Sequence, residues 1–146
     1  MNNKEKYEYW LDIAEYDLKT ARSNYESRRY LYVVFMCQQS IEKLVKGLYV
    51  LYTNNEADRT HNIARLINKL FEDNDFRLII EYDILSNEKD KYIDLFAELL
   101  YYYISERYPN YKEKLSSIIS KYKAKEVLSK TEEVYAWLKS LSQYKV

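Results

Sequence analysis

The chain holds a single glycine, Gly47, and a single proline, Pro109, among 146 residues. Hairpin turns and β-bulges lean on glycine for backbone angles that other residues resist. A many-stranded sheet is therefore not expected. The same scarcity removes the P-loop, the G-x-G-x-x-G turn and the G-x-S-x-G elbow, each of which needs two or more glycines. Cys37 and His61 are also the only residues of their kinds. That excludes an intramolecular disulfide framework, a zinc knuckle built on cysteine pairs and a multi-histidine metal site. The expectation is an all-α chain, read as a single helical domain over residues 1–146, with no metal and no cofactor. A chain of this size buries about 70% of the surface its unfolded form exposes, enough for a core without staples.

The hydropathy pattern predicts four long helices and one or two short ones, arranged as an up-and-down bundle. The first runs over about Lys4 to Tyr25, with Tyr7, Trp10, Leu11, Ala14, Leu18, Ala21 and Tyr25 at helical spacing. The second runs over about Tyr30 to Tyr52. Its opening, Leu31 to Cys37, resembles a buried strand, but the pattern continues through Ile41, Leu44, Val45, Leu48 and Leu51 at a period of 3.6. Apolar residues nearly encircle its first half, so it is the expected central helix. Gly47 inside it points to a close helix contact. Residues 53–59 form a loop, and Thr60 is the expected N-cap of a third helix with Ile63, Leu66, Ile67 and Leu70 inward. Between Glu72 and Asp90, Phe76, Ile79, Ile80 and Ile84 suggest a short helix between acidic loops. A long helix follows over about Lys89 to Glu106, with Tyr92, Ile93, Phe96, Leu99, Leu100 and Tyr103 inward, and Pro109 ends it. The last spans about Lys123 to Ser142.

No membrane segment is expected. The longest apolar run, Leu31 to Cys37, is seven residues, against about 20 for a spanning helix. The N-terminus leads into a charged amphipathic segment, so the expected location is the cytoplasm. Charge is balanced overall, 23 basic against 23 acidic residues, but unevenly spread. Residues 19–46 and 105–125 are each net +4, while 72–98 is net −6. The two basic stretches would form an anion-binding face if the fold joins them. The eighteen tyrosines fit half-buried helix faces first, with base stacking as the functional alternative.

Three features occur together. The first is Trp10-Leu11-x-x-Ala14 followed by Asp17-Leu18-x-x-Ala21. The second is Tyr30 followed by Phe35-x-Cys37-Gln38-Gln39-Ser40-x-Glu42-Lys43-x-x-Lys46. The third is Thr60-His61-Asn62-Ile63, with Arg107-Tyr108-Pro109-Asn110 after a long helix. From residue 7 to residue 142 the chain resembles the HEPN family, small prokaryotic helical domains often encoded beside minimal nucleotidyltransferases. The resemblance implies a four- or five-helix bundle, a homodimer and a role around nucleotides or RNA. Some relatives are metal-independent ribonucleases and toxins; others are noncatalytic binding or partner subunits of a nucleotidyltransferase. The ribonucleases share an arginine followed by a histidine on one helix. Arg107 matches the arginine, but residues 108–114 contain no histidine. An arginine stabilises phosphorane charge but does not shuttle protons at neutral pH.

The candidate ligand-binding residues are Gln39, Lys43, Lys46, Arg107 and Tyr108. Gln39, Lys43 and Lys46 share a helix stripe suited to a phosphate and a base edge, or form a solvated stripe with Glu42 pairing to Lys46. Gln38 falls on the apolar seam, where a buried glutamine satisfies a packing partner. His61 is expected to hydrogen-bond locally in the first turn of its helix, and Cys37 to pack as a small hydrophobe. No catalytic residue is assigned. The reading favoured is a noncatalytic nucleotide- or RNA-binding or partner subunit, acting with a nucleotidyltransferase in a toxin–antitoxin or defence-type system. The alternatives are an endoribonuclease centred on Arg107 and a structural dimerisation module without a ligand.

Overall fold

The computed structural model describes residues 1–79, 81–107, 114, 117 and 119–145, with Glu106 and Arg107 described by their backbone. Among these residues there are seven α-helices and no strand: α1 (Asn3–Glu26), α2 (Tyr30–Thr53), α3 (Ile63–Glu72), α4 (Asn74–Arg77), α5 (Tyr82–Asp90), α6 (Ile93–Arg107) and α7 (Lys121–Ser140). A 3-10 turn, Leu141–Tyr144, follows α7. The chain is all-α, as its glycine economy predicts.

Helix α1 starts on a capping box. The Asn2 side chain accepts from the Glu5 amide at 2.8 Å, and Glu5 reaches back to the Asn2 amide. Its inner face buries Tyr7, Ala14, Leu18 and Ala21 against α2. Helix α2 is the axis of the molecule and contacts α1, α3, α6 and α7. Val33, Val34, Cys37, Ile41, Leu44, Val45 and Leu48 are all fully buried along it. It closes on Asn54 at φ 63°, a left-handed cap that an asparagine tolerates, with the Asn54 amide donating to the Val50 carbonyl.

Polar ties fix the helices around this axis. The Ser40 hydroxyl donates to the Ala14 carbonyl at 2.8 Å, joining α2 to α1. Arg22 pairs with Glu132 between α1 and α7 at 3.0 Å, and Lys123 with Glu98 between α7 and α6 at 2.8 Å. The Tyr52 hydroxyl donates to the Leu141 carbonyl at 2.5 Å, anchoring the C-terminal turn on α2. Phe71, Phe76, Tyr82, Trp137 and Tyr92 make a run of neighbouring rings under α3, α4 and α5.

The structure differs from the sequence reading at several boundaries. Asn62, not Thr60, caps α3, because its side chain accepts from the Arg65 amide at 3.2 Å. Thr60 instead accepts from the Asn62 amide. The ambiguous stretch holds two helices, α4 and α5, since Asp73 caps a separate four-residue turn on the Phe76 amide. In α5 the buried residue is Leu85, while Ile84 faces outward. Ile80 lies outside the described residues. On α6, Leu95 and Tyr102 are buried beside Phe96, Leu99 and Tyr103, so the inward face is rotated from the one expected. No described helix is long and apolar enough to cross a membrane.

Gly47 is where α1 and α2 approach most tightly. A Cβ built there would lie 2.8 Å from Trp10 Cβ and 3.3 Å from Tyr7 Cδ1. Trp10 Cβ is fixed to its backbone, so the two helices must separate to admit a methyl. Alanine adds up to about 1 kcal/mol of helix propensity, but overpacking costs about 1–3 kcal/mol. Gly47→Ala is expected to lose about 1 kcal/mol net in urea unfolding followed by circular dichroism. A midpoint at or above that of the native chain would contradict the close approach.

Candidate functional site

Helix α2 carries Gln38, Gln39, Glu42, Lys43 and Lys46 over three turns. The i, i+4 spacing of Gln38, Glu42 and Lys46 places them in one row. Gln38 is fully buried and Glu42 is 4% exposed. A carboxylate so placed requires partners, because burying a lone charge is costly. Glu42 has three. Its Oε2 accepts from Lys46 Nζ at 3.0 Å, and its Oε1 accepts from Gln38 Nε2 at 2.9 Å and meets His61 Nδ1 at 2.8 Å. Gln38 Nε2 also donates to the His61 carbonyl at 3.0 Å, and Gln38 Oε1 accepts from Gln39 Nε2 at 2.6 Å. Beside this network Lys43 donates to Asp17 of α1 at 2.5 Å; Asp17 is itself 6% exposed.

The lysines therefore reach the site already paired, Lys46 with Glu42 and Lys43 with Asp17. Together these four side chains carry no net charge. The expected packing role of Gln38 is realised, with both of its amide atoms engaged. The local bond expected of His61 is replaced by a link to Glu42, nineteen positions earlier in the chain. The loop before α3, residues 54–62, turns the imidazole back onto α2 instead of along its own helix.

The imidazole is held on a second side. Its ring stacks on Tyr103 of α6 at 4.3 Å between centroids and 26° between planes. Tyr103 in turn stacks on Phe35 of α2 at 5.6 Å and 11°. Tyr103 and Arg107 are one turn apart at i, i+4, so they share a face of α6. The residue that most resembles the family's arginine is thus on the helix face that meets the imidazole. Arg107 is described by its backbone only, and Tyr108 lies outside the described residues.

The proton on the imidazole follows from the bonding. Glu42 as a carboxylate offers only acceptors, so the 2.8 Å contact is a hydrogen bond when Nδ1 carries the hydrogen. In the neutral ring this leaves a lone pair on Nε2, which has no bonding partner among the described residues. The side chain is 47% exposed.

Other reactive groups are withdrawn. Cys37 is fully buried, and burial pushes its thiol up to about 12. Ser40 is buried and committed to Ala14. No group of three or more His, Cys, Asp or Glu side chains converges for a metal among the described residues. A groove of about 430 Å³ lined by Tyr52, Asp75, Leu78, Ile79, Glu81, Tyr144 and Lys145 shares no residue with the site.

Deleting one member of a buried, hydrogen-bonded ion pair costs about 3–5 kcal/mol. Lys46 still reaches water, which lowers the figure here. Glu42→Ala is expected to cost about 3 kcal/mol in urea unfolding, well above Lys43→Ala. A loss under about 0.5 kcal/mol, the range of ordinary surface changes, would contradict the organising role of Glu42.

Comparison with known proteins agrees with this architecture. A search of curated proteins finds no match. The crystal structure of TT1696 from Thermus thermophilus superposes with a TM-score of 0.71, covering 97% of this chain and 99% of that one at 19% identity. That likeness establishes a shared fold. The model of the HEPN domain matches residues 7–141, nearly the whole sequence. By the extent of that match, the chain belongs to the HEPN domain family.

Proposed function

We propose that this chain is a subunit that binds a nucleotide or an RNA end, acting as a homodimer beside a minimal nucleotidyltransferase in a toxin–antitoxin or defence-type system. Membership of the HEPN family supports a nucleotide- or RNA-related role. The proposed ligand-binding residues are Gln39, Lys43, Lys46, Arg107 and Tyr108. The observation that carries this reading is the half-exposed imidazole of His61 seated against α6, one turn from Arg107. It supports a polar recognition surface assembled from α2, the loop before α3 and α6. Lys43 and Lys46 are paired with Asp17 and Glu42, and in this reading Arg107 adds a further phosphate contact. The family's arginine–histidine spacing is incomplete after Arg107, which favours a binding or partner role over cleavage through that motif.

A second reading, an endoribonuclease centred on Arg107, draws on one observation. The imidazole missing after Arg107 in sequence is supplied near the same helix from another element.

Binding of a labelled single-stranded RNA should weaken with salt, with a log–log slope of about −0.7 for each phosphate neutralised. Arg107→Ala should reduce that slope by about 0.7. Fluorescence anisotropy measures both, and copurification with the nucleotidyltransferase tests the partner role. Salt-independent affinity, or no binding at micromolar RNA together with no copurifying partner, would overturn the reading.

A further inference from the structure

We propose that the groove between the α4–α5 segment and the C-terminal 3-10 turn is a docking site for a partner protein, which enters as a basic segment carrying an apolar anchor. The groove holds about 430 Å³ and shares no residue with the α2–α6 network, so the proposal does not depend on a nucleotide or RNA ligand. Its walls are fixed from within. The Tyr52 hydroxyl holds the Leu141 carbonyl at 2.5 Å, which sets the turn carrying Tyr144 and Lys145. The Tyr52 ring meets Phe76, the buried residue of α4, edge-on at 5.0 Å. The Tyr82 hydroxyl donates to the Phe71 carbonyl at 2.9 Å, which sets the start of α5 and its N-cap Glu81. One buried tyrosine therefore ties both sides of the groove to α2, and a second ties down the end that carries Glu81.

The lining is apolar with an acidic edge. Leu78, the C-cap of α4, is 81% exposed, and it lines the groove with Ile79 and Tyr144. Ile84, one turn beyond Glu81 on the same helix face, is 60% exposed and continues the apolar surface along α5. Scattered apolar side chains on a surface are ordinary, but a contiguous set at a groove marks an interaction site. The polar lining is Asp75, Glu81 and Lys145. Among the described residues neither carboxylate forms an ion pair. The cations nearest in sequence are engaged elsewhere: Arg77 lies over the Tyr82 ring at 6.0 Å, and Lys89 donates to Asn68 at 3.2 Å. The groove also falls within residues 72–98, the stretch of net charge −6. That field disfavours phosphate and attracts cations. A leucine flanked by Lys or Arg matches both features, since the long basic side chains lay apolar stems on the groove and bring their charge to its edge. An amphipathic basic helix presents this combination.

The test uses the full chain and a labelled synthetic helical peptide of leucine and lysine, with a leucine–glutamate peptide of the same pattern as control, read by fluorescence anisotropy. The leucine–lysine peptide is expected to bind at micromolar concentration, more weakly as salt rises, and the control not to bind. Leu78→Ser should weaken binding about tenfold, and Glu81→Lys at least as much. Both side chains are exposed, so helical circular dichroism should be unchanged. Asp12→Lys, an equal change of net charge on the exposed face of α1, should leave affinity within about twofold. No binding of the leucine–lysine peptide, binding untouched by Leu78→Ser, or equal weakening by Asp12→Lys and Glu81→Lys would overturn the proposal. Dissociation of a native dimer by Leu78→Ser and Glu81→Lys would overturn it in favour of a second copy of this chain as the occupant.

Discussion

A carboxylate at the centre of a helical bundle has to be answered from several directions, and Glu42 is answered from three. Lys46 and Gln38 come from its own helix, one turn to either side, and His61 comes from the loop before α3. This one residue therefore does two things that are separate in most bundles. It satisfies the middle of the most buried helix, and it sets where the connection to α3 must pass. Because that connection is tied down by both its imidazole and its carbonyl, α3 starts at a defined place. The stack on Tyr103 then registers α6 against the same point. The polar network and the arrangement of α2, α3 and α6 are one structure.

The helices themselves were legible in the sequence because their signals are local. The apolar residues that nearly encircle its first half marked α2 as central, and Gly47 marked a close helix contact, with which the 2.8 Å approach to Trp10 Cβ agrees. Gln38 on an apolar seam announced a packing partner, and it has three. The pairing of Glu42 with Lys46 followed from spacing alone. What stayed hidden were contacts between elements. Nothing in Thr60-His61-Asn62 tells that the imidazole folds back over α2, since that depends on the loop path. Asp17 was not separable from the other acidic residues of α1 until Lys43 crossed to it. The α3 cap moved from Thr60 to Asn62 because both residues are competent caps, and propensity does not choose between neighbours.

For function, pairing changes the meaning of residues that pattern alone suggested. A stripe of Gln39, Lys43 and Lys46 looks like a phosphate site while its partners are unknown. With Asp17 and Glu42 in place, the stripe is a neutral scaffold. Attention shifts to the group that scaffold holds, a half-exposed imidazole with Nδ1 engaged by Glu42. A histidine outside the expected sequence position is still a histidine near α6 in space. Catalytic groups are recognised by geometry and role, not by order along the chain.

Because His61 is the only histidine, its ring nitrogens are observable without interference. Nitrogen-15 NMR of the imidazole in the folded chain tests the central geometry most directly. The account predicts a hydrogen held on Nδ1 by Glu42 and an Nε2 signal that moves when RNA is added. A ring with the hydrogen on Nε2, or one averaging freely between both tautomers, would contradict it.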